Sequence, residues 1–465
     1  MKKILSLLVV SVVALSSCIK VDIDDSVTNS GGSGGGVYAS LEEKFIATKI
    51  ITGQITEDVS LPKGKYILKG YVYVTNRAIL SFAPGSVIVG DTITKGALIV
   101  ERNSKLIAPG TATEPIVFTS GKPAGKRAPG DWGGIILLGN AVTNRSTEPT
   151  IEGGVNAKYG GTINTDNSGT LTYVRIEFAG IAADPNSEIN GLTLGGVGSG
   201  TKLENIQVSF ANDDAYEFFG GTVNAKNLIA FATADDDFDF DFGYTGQIQF
   251  GVSMRKPDFV DPGDAGNGIE CDNDAGATTA TPRTRPVLSN FTIIGPGNEA
   301  NVAGNHNFSN RWRRASRFVL ANSILMGHPN GGFVLESAAT AQDYLDGNSI
   351  FKANLVHAYA NPYMAGTASP APIATTVTTS AAILTKAESE GNITYTNPGD
   401  IKLISPWYST TPNFLPQAGS SALSGADFSW VGSSTFFTQV TYRGAFGTTD
   451  WTTDWTNWDP QHTVY

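Results

Sequence analysis

Two runs of carboxylates repeat at a fixed distance. Residues 203–222 read LENIQVSFANDDAYEFFGGT and residues 225–244 read AKNLIAFATADDDFDFDFGY, so an offset of 22 lays Asp213 on Asp235, Asp214 on Asp236 and Glu217 on Asp239. Asp237 and Asp241 raise the density further. The same offset pairs Asn205 with Asn227, Phe218 with Phe240 and Gly221 with Gly243. If the copies stack as neighbouring strands, aligned carboxylates lie about 4.8 Å apart and repel by about 3 kcal/mol at an effective dielectric near 20. Three such pairs rival the net stability of an ordinary domain, about 5–15 kcal/mol. Relief comes by splaying the side chains into water, by protonation, or by a shared cation. Ca²⁺ suits this chemistry, because it takes six to eight oxygens from carboxylates, carbonyls and water. Asp213, Asp214, Glu217, Asp235, Asp236, Asp237, Asp239 and Asp241 are therefore the candidate metal-binding residues. Glu270, Asp272 and Asp274, in NGIECDND, extend the acidic stripe if one more coil stacks on it.

A basic cluster follows, with Arg311, Arg313, Arg314 and Arg317 set around Trp312. Arginine beside an aromatic ring suits a carboxylate, a phosphate or a sugar face, so these five are candidate ligand-binding residues. The same arginines equally serve to neutralise the acidic stripe a coil or two away. His306 and His328 stand one coil length apart, too sparse a set for a metal site. No Ser/His/Asp set, phosphate-cradling glycine loop or cysteine cluster is present, so no residue is assigned a catalytic role.

A repeat of this length, with short β-branched and aromatic runs broken by Asn and Gly, predicts a β-solenoid. The form x-x-Asn/Tyr-φ-x-φ-x-φ (φ, apolar) recurs at Tyr173, Asn205, Asn227, Asn290, Asn322 and Asn354, in steps of 32, 22, 63, 32 and 32 residues. The 22-residue step is a bare coil, and the 32-residue steps carry a loop at a corner. The 63-residue step holds two coils, one through GQIQFGVSM at 246–254. Asn at a fixed place predicts either an internal amide ladder or plain turn chemistry. Alternation in DDDFDFDF puts Phe238, Phe240 and Phe242 inward and Asp237, Asp239 and Asp241 outward. Trp451, Trp455 and Trp458, at i, i+4 and i+7, predict one face of a short helix closing the last coil.

Residues 1–17 have Met1-Lys2-Lys3, then an apolar run from Ile4 to Leu15 too short to span a bilayer, and small residues before Cys18. The Leu-Ser-Ser-Cys ending resembles a bacterial lipobox, which implies an acylated Cys18 and a membrane contact through lipid. Residues 18–36 form an acidic, Gly/Ser-rich tether. Its cluster of Asp22, Asp24 and Asp25 resembles the export signal that places lipoproteins on the outer face of the Bacteroidota outer membrane. With Cys18 lipidated, Cys271 has no partner and a disulfide framework is excluded.

Charged residues are only 16% of the chain and glycines number 53, as in an extracytoplasmic β protein. A net charge of −11 argues against nucleic acid or anionic lipid as partner. The motifs PGDWGGIILLGNA (129–141), EFFGGTVNAKNLIAF (217–231), NGIECDND (267–274) and VTYRGAFGTTDWTTDWTNW (440–458) resemble Bacteroidota β-helix lipoproteins. That resemblance implies an all-β, right-handed parallel β-helix on the cell surface, beside an outer-membrane transporter. The expected organisation is a β-helix over 37–383 and C-terminal coils with an aromatic cap over 384–465. The leading functional expectation is a binding face for an extracellular polysaccharide or other polyanion, Ca²⁺-dependent. The alternatives are a Ca²⁺-dependent lyase or glycosidase, and a structural or adhesive scaffold.

Overall fold

A computed structural model describes residues 38–184, 187–366 and 377–465. The signal region, Cys18 and the tether lie outside the described residues. The unit that carries the site is Ala39–Tyr465.

The chain winds as a right-handed parallel β-helix. Each coil visits three sheets in turn, and the bare coil shows how the sequence arranges this. Strand Lys202–Ser209 bends at Asn205 (φ 55°) and strand Asn224–Phe231 bends at Asn227 (φ 57°). A left-handed residue here turns the chain from the first sheet to the second, and Asn tolerates that conformation better than other residues bearing a side chain. The third sheet follows with Tyr216–Phe219 and Phe238–Asp241. Tyr173, Phe250, Asn290 and Asn322 take the same conformation at the same corner. Phe250 is the corner of the coil at 246–254, so the long step does hold two coils. In the last full coil the left-handed residue is Ala353, and Asn354 is instead a buried rung. Its Nδ2 donates to the Leu320 carbonyl at 2.9 Å and its Oδ1 accepts from the Ser323 N–H at 2.8 Å. The corner Asn residues thus divide between the two expected roles. Asn205 and Asn227 are half-exposed turn residues, whereas Asn290 and Asn322 are fully buried.

The offset of 22 is a contact in space. Glu217 pairs with Asp239 and Phe218 with Phe240 in parallel register, and Ile206 pairs with Leu228. Inside the coil Tyr216 stacks on Phe238 with centroids 5.1 Å apart, and Phe218 on Phe240 at 5.0 Å. Offset ring stacks of this kind add to ordinary apolar burial.

Helices cover the two ends. Helix α1 (Leu41–Thr48), capped by Ser40, buries Phe45 against the first strands. Helix α2 (Ala338–Leu345) is a corner insertion whose Tyr344 enters the core. Helix α3 (Ser380–Ser389) packs on the last strand of the third sheet, Asn361–Ala365, and buries Ile383 and Ala387. The boundary expected between 383 and 384 falls inside α3.

The tryptophan segment does not close the last coil and is not helical. From about residue 400 the chain runs back along the outside of the second sheet. Asp427 meets Asn322, Tyr442 meets Asn290, Thr438 meets Gln249 and Asn457 meets Gln207. The Tyr465 hydroxyl donates to Glu177 at 2.6 Å. The reason is the outward face of that sheet, which presents Ile229, Phe231, Val252, Met254, Ile294 and Met326. Left bare it would be a large apolar patch; Phe414, Phe446 and Trp455 bury it.

A carboxylate cavity at one corner of the coil

The corner between the second and third sheets gathers the acidic residues. In the bare coil this corner is the short Asn212-Asp213-Asp214 segment, and one coil on it is Asp235-Asp236. Each second Asp has a structural duty. Asp214 Oδ1 accepts the backbone N–H of Asp236 at 2.8 Å, and Asp236 Oδ1 accepts that of Asn267 at 2.6 Å. One oxygen of each carboxylate thereby ties its corner to the next coil. Glu217, Asp239 and Glu270 follow on the outward face of the third sheet, in register with one another.

These side chains wall a cavity of about 190 Å³ together with Glu152, Glu188 and Asp264. Every lining residue is Asp or Glu. The last three come from insertions: Glu152 from the loop after Ile135–Leu138, Glu188 from a short hairpin with Ala182–Asp184, and Asp264 from the loop after Gln247–Met254. Its floor is buried, since Asp214, Asp236 and Glu217 are only 7%, 5% and 9% exposed, while Asp213, Asp235 and Asp239 are half-buried and Glu152 and Asp264 are exposed at the rim. Splaying into water is therefore closed to Asp214, Asp236 and Glu217 on the floor and open to the rim acids.

Burial, reinforced by like charge, drives the carboxyl groups far above the usual carboxylate range. Asp213 is pushed up to about 8 by burial and by Glu152 and Glu188. Asp214, Glu217, Asp235, Asp236 and Asp239 are raised well above it, burial being the largest cause and neighbouring carboxylates adding to it. Two sets bring one ligand oxygen from each member within 4.8 Å of one another: Asp213, Asp214 and Asp235, then Asp214, Glu217 and Asp239. Clusters of buried Asp and Glu that could hold a metal ion are thus part of the fold.

Two of the expected ligands lie elsewhere. Asp237 sits before the strand and points into the coil, where it pairs with Arg255 at 3.1 Å, both fully buried. Asp241 keeps its outward position beyond the cavity and is pushed up to about 8 by burial and by Asp272. Phe242 departs from the alternation. Its φ of 49° breaks the strand, and its ring lies outside, against Phe219 and under the Arg145 guanidinium.

The arginine cluster neutralises acid and does not present a ligand platform. Arg311 pairs with Glu270 at 3.1 Å and with Glu336; Arg313 pairs with Glu270 and, at 2.8 Å, with Asp272. Arg314 pairs with Asp272 at 2.7 Å, and Arg317 lies farther off, 2.9 Å from Asp343. The acidic ladder ends where Glu270 meets Arg311 in register. Trp312 cannot stack on a ligand, because strand alternation turns it inward: it is fully buried, centroid 4.2 Å from Phe318. Asp274 only ties its own loop, accepting from Thr278. His306 binds the carbonyls of Lys256 and Pro257, and burial holds it neutral, down to about 3.

Sequence reasoning missed Glu152, Glu188, Asp264 and the buried Asn190. The available signal was that the coils flanking the bare one carry long insertions, two of them at the carboxylate corner.

Fold and site together define a parallel β-helix protein with a carboxylate-walled corner. Residues 53–399 match the family described as pectate-lyase like beta helix domain, and the chain belongs to it. No curated protein and no solved structure matches the chain. The family thus accounts for the fold, and the ligand must be argued from the residues. Among the described residues no helix is long and apolar enough to cross a membrane.

Proposed function

We propose that the protein is a lipid-anchored, outward-facing outer-membrane protein whose β-helix binds an extracellular polysaccharide or other polyanion through Ca²⁺. The observation that carries the reading is the all-carboxylate cavity, completed by three loop-borne acids outside the repeat. A ladder alone could be an accident of duplication; three insertions converging on it could not easily be. The donors suit a hard cation, since carboxylate oxygens line the cavity and no imidazole or thiol does. A cation held here offers remaining coordination positions to the carboxylates or hydroxyls of a polymer. The lipobox-like run ending at Cys18 and the tether to residue 36 support the address, and a place beside a transporter rests on the lipoprotein resemblance alone.

A lyase reading needs a base to take a proton from the polymer. Arg313 is unsuited to it, because Glu270 and Asp272 hold its guanidinium protonated. The binding reading is therefore preferred. Immobilised polygalacturonate and alginate are to be tested for retention of the protein in Ca²⁺ and in EGTA, with ultraviolet absorbance followed for unsaturated uronate. Retention in Ca²⁺ only, without new absorbance, is expected. Unsaturated product makes the protein a lyase, and no retention on any polymer leaves a structural scaffold.

A further inference from the structure

We infer, resting on the cation reading above, that the cavity is a binuclear site in which Asp214 bridges two divalent cations. The two sets of converging oxygens share Asp214 and no other residue. Asp213 and Asp235 complete one set, and Glu217 and Asp239 complete the other. The hydrogen bond from the Asp236 N–H to Asp214 Oδ1 holds one oxygen of the shared carboxylate in place.

One further group points to a ligand at the set of Asp214, Glu217 and Asp239. Asp239 Oδ1 is buried without a hydrogen-bond partner. Asn190, 1% exposed, donates its side-chain N–H to Glu217 and, at 3.1 Å, to Glu152, and so orients these two carboxylates. Unsatisfied buried oxygens are rare in folded proteins and call for an explanation such as an ion. A carboxylate oxygen such as that of Asp239 is a ligand that Ca²⁺ accepts.

Charge arithmetic separates one cation from two. The two sets contain five carboxylates. With all five ionised, one divalent ion leaves three of those charges uncompensated and two ions leave one. Glu270 needs no cation, because Arg311 and Arg313 already pair with it.

Equilibrium dialysis of the EGTA-stripped protein against Ca²⁺, with the bound metal counted, tests the assignment. Two ions per chain are expected, falling to one in Asp213→Asn, to one in Glu217→Gln and to none in Asp214→Asn. Each variant removes a repelling charge, so a melting temperature in EGTA no lower than that of the parent shows that it folds. One ion in the parent, lost in both single-set variants, overturns the binuclear site and leaves the Ca²⁺ reading standing. No bound ion in the parent defeats both.

Discussion

Glu217 and Asp239 lie directly opposite each other on adjacent parallel strands, both facing outward into the same cavity. Among the described residues neither forms an ion pair with a basic side chain. Like charges so placed destabilise a sheet, and the surrounding fold adds more of them. Such an arrangement makes sense when something positive completes it.

Glu217→Gln should stabilise the stripped protein. At a pH high enough to ionise the pair, removing one member relieves about 1–3 kcal/mol of repulsion. The melting temperature in EGTA should rise, while the further rise on adding Ca²⁺ should shrink. A variant less stable than its parent in EGTA would mean that the hydrogen bond from Asn190 to Glu217 outweighs the repulsion.

Stability of the stripped protein should fall as pH rises. Asp213 and Asp241 have folded values near 8, above the unfolded value of about 3.9. The folded state therefore binds more protons than the unfolded state between those limits. The resulting stability is fully present below pH about 4 and is lost as pH passes through about 8. Melting curves in EGTA from pH 5 to pH 9 check the trend. Saturating Ca²⁺ should remove Asp213's share of it, since a bound cation replaces the proton there, while Asp241's share remains, and Ca²⁺ affinity should increase over the same range.

Asp237 is a structural acid. Asp237→Asn leaves Arg255 charged and buried with a weaker partner, and breaking a buried pair costs about 3–5 kcal/mol. Denaturant midpoints should drop while the number of bound Ca²⁺ ions stays that of the parent. A lost ion with unchanged stability would place Asp237 among the ligands.

Trp455→Ala should loosen the C-terminal segment. Trp455 is fully buried against the second sheet, in edge contact with Tyr173, and truncating a buried tryptophan costs about 3–5 kcal/mol. The uncovered sheet face should then bind a hydrophobic dye. A closing role at the end of the last coil would instead show as faster hydrogen exchange confined to the last coil, residues 350–394.

The coil was legible from residues alone, because strand period, corner Asn and a 22-residue offset each imply the same stacking. Phe218 over Phe240 and Glu217 over Asp239 follow from that offset directly. The ladder half of the cavity was legible for the same reason. Glu152, Glu188 and Asp264 were not, since a loop's reach depends on its path and leaves no period behind. Trp312 misled because a cluster reading ignored alternation, which turns Trp312 into the core while its neighbour Arg311 faces Glu270 outside. Trp451, Trp455 and Trp458 misled because helical spacing also suits an irregular segment packing its rings on one flat sheet. Asp237 was assigned outward by extending the alternation one residue past the start of its strand.

Crystals grown in Ca²⁺ and measured at long wavelength test the central claim most directly. Anomalous peaks are expected within coordination distance of Asp214, flanked by Asp213 and Asp235 on one side and Glu217 and Asp239 on the other. A cavity without anomalous density in saturating Ca²⁺, its carboxyl groups hydrogen-bonded to one another, would show that protons, not cations, hold this corner together.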